Sequence, residues 1–245
     1  MTVVLEAGNI TRKYGDVMAV QGVSLEARSG EILGIVGPSG AGKSTVLRIM
    51  DLLERPSSGF VRMMGRAVVA DSKEADEVRL GIGMVLQKPV VLNRSVKHNL
   101  SYGLELRGVD PGLIEKKVDS ELHRIGLAER ITKNARTLSG GEMQRLSFTR
   151  ATIYDPKLLL LDEFSANLDP KNVGIIEADV RRYLDADRSR AVVMVTHNMF
   201  QARRLCDRLA LLWNGYLIET ADKKSFFEAP QDERTAAFVR GDLVY

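Results

Sequence analysis

The 245-residue chain holds one cysteine, Cys206, so no disulfide can close within it and no cysteine-based metal cluster can be built. That scarcity fits a reducing compartment. Long apolar runs are missing too. The longest, Leu158 to Leu161 and Ala191 to Val195, are too short to cross a bilayer. The first residues, MTVVLEAGNITRKYGD, carry no extended apolar stretch and read as strand and turn instead of a signal peptide. A soluble protein is therefore expected, with any membrane role supplied by a partner. The net charge is only +3, basic and acidic residues are interspersed, and no basic stripe points to nucleic acid. Repeats and low-complexity tracts are also lacking.

What remains is globular. Hydrophobic residues at 44% can fill a core, and 27% charged residues do not make a disordered polyampholyte. Short β-like runs open the chain: Val3 to Ala7, Val17 to Val20 and Val23 to Ala27, with turn signals at Gly15-Asp16 and Ser29-Gly30. Ile32 to Val36 is continuously apolar, as a strand buried on both faces must be. A helix is expected over Ser44 to Leu53, β-like character over Val61 to Val69, and a buried strand over Ile82 to Leu86. From about Pro89 to Tyr154 the pattern is helical. The core resumes with Leu158 to Leu161, a helix from Asn172 to Leu184, and the strand Ala191 to Val195. Next come a helix from Asn198 to Cys206 and a hairpin of Leu209–Trp213 and Tyr216–Glu219 across Asn214-Gly215. Strands alternating with helices give an α/β class with a mainly parallel sheet and a small antiparallel layer beside it. The expected organisation is one domain, 1–245. Its core lies at about 1–87 and 155–220, a helical insertion at about 88–154, and a short helix-and-loop tail at about 221–245.

The sharpest motif is Gly37-Pro38-Ser39-Gly40-Ala41-Gly42-Lys43-Ser44-Thr45, which fits G-x-x-x-x-G-K-[ST] between a buried strand and a helix. Glycines let backbone amides close around phosphate oxygens, and the following helix end adds positive potential. Lys43 can reach the β- and γ-phosphates, and the Ser44 hydroxyl can ligate Mg²⁺. Leu158 to Leu161 runs into Asp162 and Glu163. At the carboxyl end of a parallel strand, Asp162 is placed for the Mg²⁺ shell, and Glu163 is placed to polarise a water attacking the γ-phosphate. His197 ends a third strand and can contact the γ-phosphate, unlike His98 and His123, which read as structural or exposed. Gln87 ends a strand in the same way, either sensing Mg²⁺ or water or serving as a plain turn residue. Leu138-Ser139-Gly140-Gly141-Glu142 precedes a helix whose bare amides and Ser139 cap form a second anion-binding end. With one phosphate cradle per chain, that second end makes sense against the nucleotide of a neighbouring copy.

Together these motifs resemble the ATP-binding cassette family over nearly the whole chain. They occur in order: an aromatic near the start (Tyr14), the glycine loop, Gln87, the LSGGE signature at 138–142, the acidic strand end at 158–163, SANLD at 165–169, and the histidine at 197. The resemblance implies a P-loop NTPase core with an inserted helical subdomain, and ATP and Mg²⁺ as cofactors. It also implies a head-to-tail homodimer holding two ATP molecules between the glycine loop of one copy and the signature of the other. Tyr14 would stack on adenine and Asp169 would act across the interface. Permease subunits would dock near Gln87 to Ser95 at the cytoplasmic face of the membrane, with a substrate-binding protein acting indirectly. Phe164 stands where the family usually has proline, Leu86 where it has phenylalanine, and QRLSFTRAT departs mildly from the usual run; no group needed for hydrolysis is lost. Segments such as VVLNRSVKHNLSYGL and FSANLDPKNV are similar to tungstate importer ATPases, and more distantly to those of phosphate and polar amino-acid importers. An added regulatory β-domain, as in several molybdate and sugar importer ATPases, is not expected. A P-loop kinase would not need LSGGE, and a soluble cassette protein of translation or repair would usually carry two cassettes or a coiled coil. A pure nucleotide-binding regulator would lose Glu163 or His197, and exporter ATPases are often fused to membrane spans.

Overall fold

The computed structural model describes residues 1–242. Two sheets form its centre. An antiparallel sheet has the order β2-β1-β4-β5: β1 (Val3–Tyr14), β2 (Val17–Arg28), β4 (Ser58–Met63) and β5 (Arg66–Val68). A six-stranded sheet has the order β10-β9-β3-β8-β7-β6: β3 (Ile32–Val36), β6 (Ile82–Val85), β7 (Leu158–Asp162), β8 (Ala191–Val195), β9 (Arg208–Trp213) and β10 (Tyr216–Asp222). Every pairing in the second sheet is parallel except β9 with β10. This is the expected mainly parallel sheet with a small antiparallel partner.

Strands β3 and β8, and β7 as far as Leu161, carry no polar side chain because both faces of the sheet are covered. Their side chains divide with period two. Leu33, Ile35, Leu158, Leu160, Val193 and Val195 enter the core between the two sheets. Ile32, Val36, Leu159, Leu161, Val192 and Met194 enter the core on the opposite face. The helix α1 (Lys43–Met50) fills the first core, while α6 (Pro170–Ala186), α7 (Met199–Leu205), α8 (Lys223–Glu228) and α9 (Glu233–Arg240) supply side chains to the second. A third cluster, from Val96 to Ile153, is built by α3 (Val96–Glu105), α4 (Pro111–Arg124), α5 (Gly140–Thr152) and the turns between them. No described helix is long and apolar enough to cross a membrane.

Several elements differ from the sequence reading. The first three β-runs merge into the long hairpin β1–β2. Its alternation is broken where Asn9 takes a φ of 48° and the pairing register shifts between Ala7 and Ile10, a bulge that hides the continuity. The β-like stretch 61–69 is instead a hairpin, turned at Met64 and Gly65, both at positive φ. The helix expected to reach Leu53 stops at Met50, because Leu52 enters the left-handed region. Residues 89–95 are not helical. The helix α2 (Lys73–Arg79), capped by Ser72, went unread: it buries only Ala75 and so carries no amphipathic stripe.

Gly34 on β3 makes room for Cys206. A Cβ there would lie 2.4 Å from the cysteine Sγ. The thiol is fully buried, and burial pushes its pKa up to about 12.

Asp51, just past α1, is also buried, and desolvation raises its pKa to about 6 against a smaller opposing pull from Arg79. Its ionised form therefore opposes folding. The penalty is absent below the unfolded-state pKa, grows as pH rises toward 6, and is constant above that. Asp51→Asn is expected to raise stability at pH 8 by roughly 1–3 kcal/mol and to lose that advantage at pH 4, as read by urea denaturation at both pH values.

Candidate active site

The glycine loop connects β3 to α1 and is pressed against its neighbours. A Cβ on Gly37 (φ 146°) would sit 2.1 Å from the Leu212 carbonyl, and one on Gly42 (φ 97°) 2.4 Å from the Ala19 carbonyl. Backbone this close, at these φ values, admits only glycine. Lys43 Nζ donates to the Gly37 and Pro38 carbonyls, 2.7 Å each. Burial lowers the lysine's pKa, while Glu163 and Asp162 pull it back up.

Residues 39–45, Gln87, Asp162 and Glu163 line one cleft of about 440 Å³. They meet because β3, β7 and β6 are parallel and end at the same edge, so Gln87 lies just beyond β6 and the acids close β7. Ser44 Oγ donates to Asp162 Oδ1 at 3.3 Å. Burial raises the Asp162 pKa, the Ser44 bond lowers it, and the Glu163 charge raises it further. Glu163 takes a φ of 43°, rare for a residue with a side chain and strained unless its surroundings hold it. Its amide donates to the Val195 carbonyl at 3.0 Å, and Oε1 lies 3.0 Å from His197 Nδ1. The sheet thus brings His197, one residue past Thr196 at the end of β8, against the glutamate.

Among the described residues, no group of three or more His, Cys, Asp or Glu side chains could cage a metal. Mg²⁺ seldom needs one: it binds through one or two protein oxygens plus phosphates and water. Ser44 Oγ and Asp162 Oδ1, hard oxygens held side by side, fit that mode.

The other expected residues lie elsewhere. Ser139 caps α5 in a capping box: its Oγ accepts from the Glu142 amide at 3.4 Å, and Glu142 Oε2 accepts from the Ser139 amide at 2.8 Å. The bond from the Ser139 amide is the main cause lowering the Glu142 pKa. Ser139 and Glu142 line a separate cleft of about 770 Å³ with Arg145, Lys171 and Asn172, and Gly141 packs on Asn172. Asp169 caps α6, accepting from the Asn172 amide at 3.0 Å; Asn172 Oδ1 in turn accepts from Arg145 Nη1 at 2.5 Å. The SANLD turn is therefore tied to the signature helix. Tyr14 does not line the glycine-loop cleft. Its hydroxyl bonds Glu54, and the Arg12 guanidinium lies 4.8 Å over its ring.

The sequence reading passed over Gln144. This side chain is buried on α5, with Nε2 donating to the Phe164 carbonyl at 2.5 Å and the Leu86 carbonyl at 3.4 Å. The only hint in the sequence is a polar residue amid the helix positions that turn inward.

Residues 20–166 match the family described as ABC transporter. A probable anion import ATP-binding protein of Haloferax volcanii is 39% identical over 98% of this chain and 88% of its own length. A phosphate import ATP-binding protein, PstB 2, of Natronomonas pharaonis is 37% identical over the same shares. A methionine import ATP-binding protein, MetN, of Geobacillus kaustophilus is 38% identical over 92% of this chain and 66% of its own. Among solved structures, cbiO1 from Clostridium perfringens, part of the ABC transporter complex cbiONQ, superposes with a TM-score of 0.84 at 26% identity, covering 97% of this chain and 95% of that one. The chain therefore belongs to the ABC transporter family, as an ATPase domain of it.

Proposed function

We propose that this chain is the ATP-hydrolysing subunit of an importer for an inorganic oxyanion, tungstate by preference. The observation carrying the ATPase chemistry is the single cleft joining Lys43, Ser44, Asp162 and Glu163, with His197 bonded to the glutamate. In this reading the loop amides of 37–45 and Lys43 hold the triphosphate. Glu163 orients a water and accepts its proton as the new oxygen–phosphorus bond forms and the bond to the β-phosphate oxygen breaks. His197 keeps the carboxylate aimed. Ser44 and Asp162, with Gln87 nearby, would hold Mg²⁺, which when bound offsets charge on the phosphates.

The reading extends to assembly. Ser139 and Glu142 line a cleft separate from the one at the chain's own glycine loop, which suits the segment 139–142 to a second copy's nucleotide. The homodimer would set Asp169 at its seam. Tyr14, one ring face covered by Arg12, would offer the other to adenine. The core at about 1–87 and 155–220 would move against the helical insertion at about 88–154. That motion would drive permease subunits at the cytoplasmic face, with a substrate-binding protein delivering cargo. Relatives named for anion and phosphate import support the oxyanion class; the methionine-import relative keeps an amino-acid importer as the second reading.

The test is uptake by vesicles carrying this subunit with its permease and binding protein. ATP-dependent accumulation of tungstate, exceeding that of molybdate, phosphate and methionine, is the expected result. Methionine uptake without oxyanion uptake would sink the proposal.

A further inference from the structure

Gln144 is almost fully buried, at 1% exposure, yet among the described residues its Oε1 has no hydrogen-bond partner. A buried, unpaired amide oxygen is costly and calls for an explanation. The other end of the amide touches two places at once. Phe164, whose carbonyl accepts at 2.5 Å, directly follows Glu163. Leu86, whose carbonyl accepts at 3.4 Å, directly precedes Gln87. One NH₂ group on α5 therefore spans the turn holding the glutamate and the strand end holding the glutamine.

We propose that Gln144 is a positioning residue that sets the spacing of Glu163 and Gln87 and ties it to the placement of the signature helix. The inference rests on the reading of Glu163 as the residue that activates water. A φ of 43° at Glu163 has to be held by its surroundings, and the Gln144 bond to the next residue, Phe164, is one contact placed to hold it. The helix carrying Gln144 is capped by Ser139, five residues earlier, so a displacement of that helix end on engaging a phosphate would move the amide relative to both carbonyls. Hydrolysis would then be geometrically right only when α5 is seated. Nothing in this arrangement touches the nucleotide, so affinity for ATP is left alone.

The purified full chain decides the matter. Gln144→Met keeps the volume and removes the donor. Its kcat is expected to fall about 10- to 100-fold with KM for ATP within about twofold of the parent. ATP should then accumulate the dimer on size-exclusion chromatography, since binding persists while turnover slows. Gln144→Asn, chemically alike but one methylene too short for both carbonyls, gives the same split and settles the question if the Met chain does not fold. Parental kcat in either folded variant, or an equal change in KM and kcat with no accumulated dimer, overturns the role. Glu163→Gln is run beside them. If it turns over normally, the glutamate assignment itself has failed, whereas an inactive Glu163→Gln beside an active Gln144→Met rejects only the positioning role.

Discussion

Lys43→Ala is expected to reduce ATP hydrolysis by about 100- to 1000-fold, the loss that follows removal of a main charge-stabilising donor, roughly 3–4 kcal/mol. The geometry gives the reason. Lys43 Nζ is buried against the Gly37 and Pro38 carbonyls, within the loop proposed to hold the phosphates, and among the described residues no other lysine or arginine lines that cleft. Its ammonium is kept from the solvent, so its attraction to a phosphate is less screened than it would be in water. Replacing it removes a cation that loop amides cannot replace. Phosphate release from ATP, measured on a chain whose melting temperature matches the parent, checks this; turnover within a few-fold of the parent would refute the cradle.

Glu163→Gln is expected to have as large an effect on turnover while leaving ATP binding intact. The amide keeps the shape and the contact to His197 but cannot take a proton from water. ATP should bind and remain, and if two chains sandwich it as proposed they should elute as a dimer, since the bond cleavage proposed to separate them is blocked. A monomer at every ATP and protein concentration would count against the sandwiched arrangement.

Much of this site was legible because its residues sit where strands end. Leu158 to Leu161 and Ala191 to Val195 are uninterrupted apolar runs, and their boundaries could be read within a residue. The polar residues after them, Asp162, Glu163 and His197, then had to share one edge if the strands were parallel. What the chain order does not contain is adjacency. That β3, near the start of the chain, lies between β9 and β8, both from its last quarter, follows from packing alone. The hairpin β1–β2 was broken into pieces because a bulge at Asn9 interrupts the alternation. The helix α2 was invisible because Ser72 and polar contacts, not an apolar stripe, define it. The links from Gln144 to Phe164 and from Arg145 to Asn172 are not legible in the sequence, because hydrogen bonds across 20 and 27 residues leave no periodic trace.

Cys206 has a practical consequence. With Gly34 at its sulfur and no solvent contact, the chain's one thiol should not react with maleimides or nitroxide reagents while the protein is folded. A cysteine introduced on the exposed surface would then be the sole labelled position, with the native residue left in place. Paired spin labels or dyes would then test whether two copies come together as ATP is added and part as it is consumed, on an otherwise native chain.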